Sequence, residues 1–288
     1  MHTKRRNLIY FLFLLPSLAG VMLFYFIPFI TAFYYSLIDN MVKRNFVGIK
    51  NYANLFSNEL FGMASKNSIM FILVTVPSGM ILAFLITSAL KRAKRGKLVF
   101  LFLLLIPLVI PSGTMIFFWH SVFDVNGVIN TLRYKAGLSV VDWANNSTSF
   151  AIIVIIFLWK NISYSIVLFW SGISRIPDSY YEACQVEGGG SLDAFKHVTW
   201  VYLAPTTFVV LIMAIVNSFK VFKEIYMLYG GYPSASIYML QHYMNNQFVS
   251  MNMQKLSSAA YLMFLVLGVI LLVIFEFQKK VTDSFNDR

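Results

Sequence analysis

Ser179-Tyr180-Tyr181-Glu182-Ala183-Cys184-Gln185-Val186-Glu187-Gly188-Gly189-Gly190-Ser191 is a polar, glycine-punctuated segment between two apolar runs that can cross a bilayer. A compact polar insert in that place reads as a docking surface on one side of a membrane protein. Pro177 just upstream suits a helix start. Ser179 with Glu182 three residues on has the capping-box pattern, in which the serine hydroxyl accepts from the N3 amide and the glutamate reaches back. The first helix is expected over residues 180–187. Gly188-Gly189-Gly190 then stops it, because glycine accepts the left-handed conformation at a helix end. Ser191 can cap a second helix, with Asp193 near its positive end. Leu192, Phe195, Val198 and Tyr202 share one apolar face at helical spacing, and Lys196 falls opposite. The expected object is two short helices and a sharp turn, lying across a membrane surface.

The chain around this segment is built for lipid. Of its 288 residues 58% are hydrophobic and only 12% charged, with a mean hydropathy of +0.69. Soluble domains carry roughly twice that charged fraction, about 25%. Each helical span needs about 20 mainly apolar residues. Six spans are expected, over residues 8–37, 68–90, 98–119, 150–171, 203–219 and 257–277, within a single domain covering 1–288. The start, Lys4-Arg5-Arg6 before an apolar run, resembles a signal peptide, but the run is far longer than a secretory core of about 7–15 residues. It reads as an uncleaved first span. Pro16 and Pro28 are tolerable there, since neighbouring helices can satisfy the freed carbonyls.

Orientation follows from basic loops. Lys91-Arg92-Ala93-Lys94-Arg95-Gly96-Lys97 joins spans two and three with five positive charges. The amino-terminal tail adds Lys4, Arg5 and Arg6, and the carboxyl tail Lys279, Lys280 and Arg288. All fall on one side if the span count is even. Both termini and the loop 172–202 are then cytoplasmic. The net charge of +11 is accounted for by such loops and does not require nucleic acid. Cys184 is the only cysteine, so no intramolecular disulfide can form.

Three readings of the polar loop compete. It could be an interfacial elbow that merely joins two spans, or a knob that fits a groove on a cytoplasmic partner. A DNA-binding helix-turn-helix fits poorly, because Asp178, Glu182, Glu187 and Asp193 outnumber Arg175 and Lys196, while phosphate contact needs basic residues. An enzyme is equally unsupported. His2, His120, His197 and His242 show no metal-ligand spacing. No Gly-x-x-x-x-Gly-Lys-[Ser/Thr] phosphate loop occurs, so ATP-driven work must come from elsewhere. A self-contained secondary carrier or channel would instead show paired repeats with matching broken helices, or intramembrane acids.

Within the spans one ionisable residue intrudes, Lys160, near the middle of span four. A charge at that depth is costly and usually faces a bundle interior or a wet cavity. Lys160, Asn161 and Tyr164, with Asn217 late in span five, are candidates to line or border a translocation path. The competing expectation is a buried lysine bonded to backbone carbonyls or to a partner subunit. Trp119, Trp143, Trp159, Trp170 and Trp200 lie mostly near span ends, as in an aromatic belt.

At the polar loop the sequence resembles the integral-membrane permease subunits of bacterial ATP-binding-cassette importers. Their signature is Glu-Ala-Ala-x-x-x-Gly, followed further on by Ile-x-Leu-Pro. Here Glu182-Ala183-Cys184 precedes Gly188, with Cys184 in place of the second Ala, and Val201 stands where many relatives have Pro. The resemblance extends along nearly the whole chain and is strongest to the carbohydrate branch, the maltose and glycerol-3-phosphate type. It rests on Leu15-Pro16, Phe46-Val47-Gly48-Ile49-Lys50-Asn51-Tyr52 (the first permease partner's outside segment), Asn67-Ser68, Phe219-Lys220-Val221-Phe222 and Gly230-Gly231-Tyr232-Pro233. It implies an all-α, polytopic type I importer permease with no catalytic, metal or cofactor site of its own. It further implies a second permease subunit, two ATPase subunits that hold ATP and Mg, an extracytoplasmic solute-binding protein, and a sugar substrate. The ATPase-coupling residues would be Glu182, Ala183, Cys184, Gly188, Phe195 and Val198, in a bacterial plasma-membrane protein.

Overall fold

The computed structural model describes residues 2–93, 95–145 and 148–286. It is helical almost throughout; among the described residues the only β pairing is one isolated bridge between Ile38 and Phe46. The first apolar run is α1 (His2–Val21), a π-turn at Met22–Phe26, and α2 (Ile27–Ser36). α3 (Lys50–Phe56) and α4 (Glu59–Arg92) follow, then α5 (Lys97–Val109), α6 (Ser112–Phe123) and α7 (Val128–Lys135). α8 (Ser149–Ile173) leads into α9 (Asp178–Val186) and α10 (Ser191–Ala194). A second π-turn, Phe195–Thr199, joins α10 to α11 (Trp200–Phe219), and α12 (Phe222–Tyr229), α13 (Leu240–Val249) and α14 (Met253–Asn286) complete the chain.

Five stretches are long and apolar enough to cross a membrane: Tyr10–Ser36, Glu59–Arg92, Ser149–Ile173, Ser191–Tyr229 and Met253–Val281. The expected straight span 98–119 is not there. A bent pair takes its place, Lys97–Val109 and Ser112–Lys135, at 96° to each other. The cause is Pro111. A proline disfavours helical ψ in the residue before it, and Ile110 is extended at φ −69°, ψ 125°. With 13 residues, α5 rises about 20 Å, short of the roughly 30 Å hydrocarbon core.

The chain forms two compact units. The smaller contains the residues up to Gly62 with Tyr243–Leu267. Pro28 shapes its first helix, since proline cannot give the usual bond to the carbonyl four residues back. The turn before it widens, with Ile27 N–H bonding Met22 O, five residues back. Beyond α2, Tyr52 Oη donates to Ser36 Oγ at 2.8 Å, and Asn51 Nδ2 to the carbonyls of Ser36 and Ile38. Tyr261 packs on Phe29 and Phe33 with ring centroids 4.9 and 5.1 Å apart.

The larger unit contains Met63–His242 with the residues from Gly268 onward. One core gathers Phe71, Ile153, Ile156, Ile225 and Ile237; another gathers Ala83, Ile166, Phe169 and Leu203. Lys91, near the end of α4, touches Asp178 and Tyr181, just beyond the end of α8. The two helices therefore end on one face of this unit. Asn67, near the other end of α4, donates to Ala235 O and Tyr238 O on the opposite face, and Ser68 Oγ accepts from Leu240 N–H. α8 starts on that opposite face, about 37 Å from its own end. α5 starts beside the end of α4, where Lys97 Nζ donates to Lys91 O, and Trp119 and Phe123 of α6 pack on the core around Phe71 and Ile152 toward the opposite face, so α5 and α6 carry the chain across. The bent pair is thus a broken crossing rather than a re-entrant loop.

Candidate functional site

The polar loop is an elbow fastened to the end of α4. α9 starts at Asp178, one residue before the expected cap, because Pro177 already holds an extended conformation (φ −61°, ψ 139°). Ser179 therefore lies inside the first turn, and the Ser179–Glu182 capping box does not form: no side chain caps the helix. Asp178, beside the positive helix end, meets Lys91 Nζ at 3.4 Å. The same ammonium stands 4.2 Å over the Tyr181 ring, a cation–π contact. Tyr181 Oη is 3.1 Å from Thr199 Oγ1, and Phe84 of α4 packs edge-on against Phe195.

The glycine stop forms as expected. Gly188 is left-handed at φ +84°. Its N–H bonds Gln185 O at 3.0 Å, and Gly189 N–H bonds Cys184 O at 2.8 Å. That is the paired bonding of a Schellman motif. Gly189 is the tighter position: a Cβ there would lie 2.6 Å from Cys184 Sγ and 2.8 Å from Cys184 O. Gly190, not Ser191, takes the next cap position, and Asp193 Oδ2 accepts from Gly190 N–H at 2.9 Å. The second short helix is not separate; it runs through the π-turn into α11 and forms the foot of the fifth span. Nor do its apolar positions bury together. Val198 is buried, Phe195 and Tyr202 are partly exposed, and Leu192 stands in the open with Val186 at the tip of the elbow. Ala183 and Gly188 are exposed and Cys184 half-buried. Glu182 is exposed, and its carboxylate makes no hydrogen bond or ion pair among the described residues.

Lys160 has an intramolecular partner. Its ammonium bonds the carboxylate of Glu224, in the first turn of α12, and donates to Ser112 Oγ at 2.8 Å, in the first turn after the break at Pro111. The two side chains are 22% and 8% exposed, so the pair is largely withdrawn from solvent. A buried ion pair needs such extra bonds to offset desolvation. The neighbouring candidates point elsewhere. Asn161, Tyr164 and Asn217 together line a small cavity of about 20 Å³ with Thr75 and Ser165. Three of the four expected path residues are thus brought together, and Lys160 holds three elements in place beside them. Glu224 and Ser112 escaped the sequence reading. The signal was the lysine itself, since an intramembrane cation calls for a carboxylate in a neighbouring apolar segment.

With that geometry in hand, the likeness to known proteins becomes specific. Residues 68–283 match the family described as binding-protein-dependent transport system inner membrane component. The chain belongs to this family. The matched region of this permease includes the elbow, the Lys160–Glu224 pair and the small polar cavity. The trehalose/maltose transport system permease protein MalF of Thermococcus litoralis is 29% identical, with 78% of each chain covered. The sn-glycerol-3-phosphate transport system permease protein UgpA of Agrobacterium fabrum is also 29% identical, with 93% of each covered. Among solved structures, a bacterial alginate ABC transporter in complex with an alginate pentasaccharide-bound periplasmic protein superposes with a TM-score of 0.83. It is 19% identical and covers 96% of both chains, which establishes the fold. The permease is therefore a membrane component of a binding-protein-dependent importer.

Proposed function

We propose that this permease forms half of the pore of an ATP-driven sugar importer in a bacterial plasma membrane, both termini cytoplasmic. A second permease supplies the other half. An extracytoplasmic solute-binding protein delivers a sugar or sugar derivative, as the trehalose/maltose name of the MalF relative supports. Asn161, Tyr164 and Asn217 line the path and Lys160 borders it. Two ATPase subunits hold ATP and Mg. One of them receives the elbow, with Val186 and Leu192 entering its cleft and Glu182 meeting a cation.

The observation that carries this reading is the elbow's construction. A Schellman turn and the Lys91 contacts fix its underside, while Glu182, Val186 and Leu192 stay free at its surface. A joint that only linked two spans would not need an apolar tip in water. A docking knob does, because buried apolar area drives association.

The test is Gly188→Val combined with Glu182→Ala, in the permease co-expressed with its partners. Valine in the left-handed region costs about 1–2 kcal/mol and misdirects the tip. Membrane insertion should persist, while ATPase subunits fail to co-purify and uptake falls to background. Normal ATPase assembly and uptake would remove the docking role.

A further inference from the structure

A second cavity lies on the face opposite the elbow, where α6 ends and α8 begins. Its volume is about 190 Å³, and Trp119, Phe123, Tyr229, His120, Asp124 and Asp142 line it. From this site we infer that the permease carries an outer binding pocket for a single neutral saccharide ring, separate from the path lined by Asn161 and Asn217.

The pocket is preorganised. Asp124 stands on a tight turn closed by Gly127 N–H to Asp124 O at 2.9 Å. A Cβ on Gly127 would lie within 2.9 Å of three backbone atoms, so only glycine closes it. Asp142 stands on a different loop. Asn130, 1% exposed, stitches the two loops together. Its Nδ2 donates to Asp124 O, Val125 O and Val141 O, and its Oδ1 accepts from Val141 N–H at 3.1 Å. One buried amide thus fixes both carboxylates at a single mouth. The aromatic wall is equally fixed. Trp119 stacks on Phe123 at 5.7 Å and 21°, and both pack against the apolar core.

The lining chemistry selects the ligand. Aromatic faces accept the C–H face of a sugar ring, while carboxylates and imidazole bond its hydroxyls. The volume is below the roughly 300–1,000 Å³ of pockets for drug-sized ligands, so one ring enters and any further ring of a longer sugar stays at the mouth. Two carboxylates repel an anionic sugar. They are also poor free counter-ions for an organic cation, because donors already answer their charge. Asp142 accepts from Ala144 N–H, Asn145 N–H and Asn145 Nδ2. The Asn145 amide and those backbone donors hold its carboxyl below the usual range against desolvation. Asp124 accepts from Asn126 N–H and lies 3.7 Å from His120 Nε2.

This inference takes its outward orientation from the proposed importer role, but its binding does not depend on that role. The test is saturation-transfer NMR on the purified full-length permease, with maltose, glucuronate and choline as probes. Maltose should bind in the millimolar range and glucuronate and choline at least tenfold more weakly. Asp124→Asn and Asp142→Asn should each weaken maltose about tenfold, one charge-assisted hydrogen bond's worth. Lys196→Ala, exposed on the elbow and outside both sites, should leave the signal unchanged. Absence of maltose binding, preference for choline, or a signal lost in Asn161→Ala but kept in both aspartate variants would overturn the pocket. ATP-driven uptake by the assembled complex is measured in parallel. Intact uptake without pocket binding overturns the pocket alone; pocket binding in a chain that recruits no ATPase overturns the importer reading alone.

Discussion

Lys160 and Glu224 show how a single residue's role changes once its partner is known. With both charges withdrawn from water, removing one leaves the other buried and uncompensated, at a cost of about 3–5 kcal/mol. Lys160→Met should therefore lower the melting temperature of the purified permease sharply, and so should Glu224→Gln. The double variant Lys160→Met with Glu224→Leu should regain most of the loss, because no orphaned charge remains. A residue that touched solute would behave differently: the single variant would melt normally, uptake would fall, and the second change would rescue nothing. Lys160 was legible in the sequence as an intruder, and its depth in span four followed from hydropathy. Its partner was not legible, because Glu224 lies 64 positions away, and only packing brings α12 beside α8. Gly189 was hidden for a related reason. Three consecutive glycines mark a helix stop, but which of them is crowded depends on where Cys184 Sγ ends up.

Elements differ from the expected ones where local chemistry overrides hydropathy. A window of apolar residues covers 98–119 without interruption, and Pro111 still breaks it, since proline acts on the residue before it whatever the hydropathy. The elbow's start moved one residue for the same reason at Pro177. α13 carries a consequence of its own. His242, in its first turn, is fully buried between Phe222 and Tyr238, and its Nδ1 accepts from Met239 N–H at 3.2 Å. Burial pushes its pKa down from 6.5 to about 4. Neutral imidazole is thus the folded form, and the unfolded chain binds the extra proton first. The stabilisation is complete above pH 6.5 and is lost as the pH falls toward 4, at up to about 1.4 kcal/mol per unit. Thermal unfolding in detergent should steepen in its pH dependence below 6.5. His242→Gln should flatten that slope, whatever it does to stability at pH 8. An unchanged slope would mean that the imidazole is charged in the fold.

At the scale of the whole molecule the question is which compartment the elbow faces. Parity of spans orients a chain when every crossing is one helix, and the third crossing here is a bent pair. The contact of Lys91 with Asp178 and Tyr181 replaces the count. Lys91 and Lys97, the two ends of the basic loop, share one face with the elbow, so whatever orients the first orients the second. Five cations in seven residues bias that loop to the cytoplasm. The all-α class and the run of spans were legible because lipid imposes a blunt hydropathy rule; the shared face was not, because it depends on a contact between residues 87 positions apart. Cys184 makes the orientation measurable, being the only thiol in the chain. A membrane-impermeant maleimide applied to intact cells should leave it unlabelled, and the same reagent should label it after permeabilisation. Because Cys184 is half-buried against the Gly189 turn, labelling should be slow and should accelerate in Gly188→Val, whose turn is loosened. Bound ATPase should slow it further, since a knob seated in a cleft loses its access to water. Fast labelling of intact cells would put the elbow on the outer face, where no ATPase could reach it.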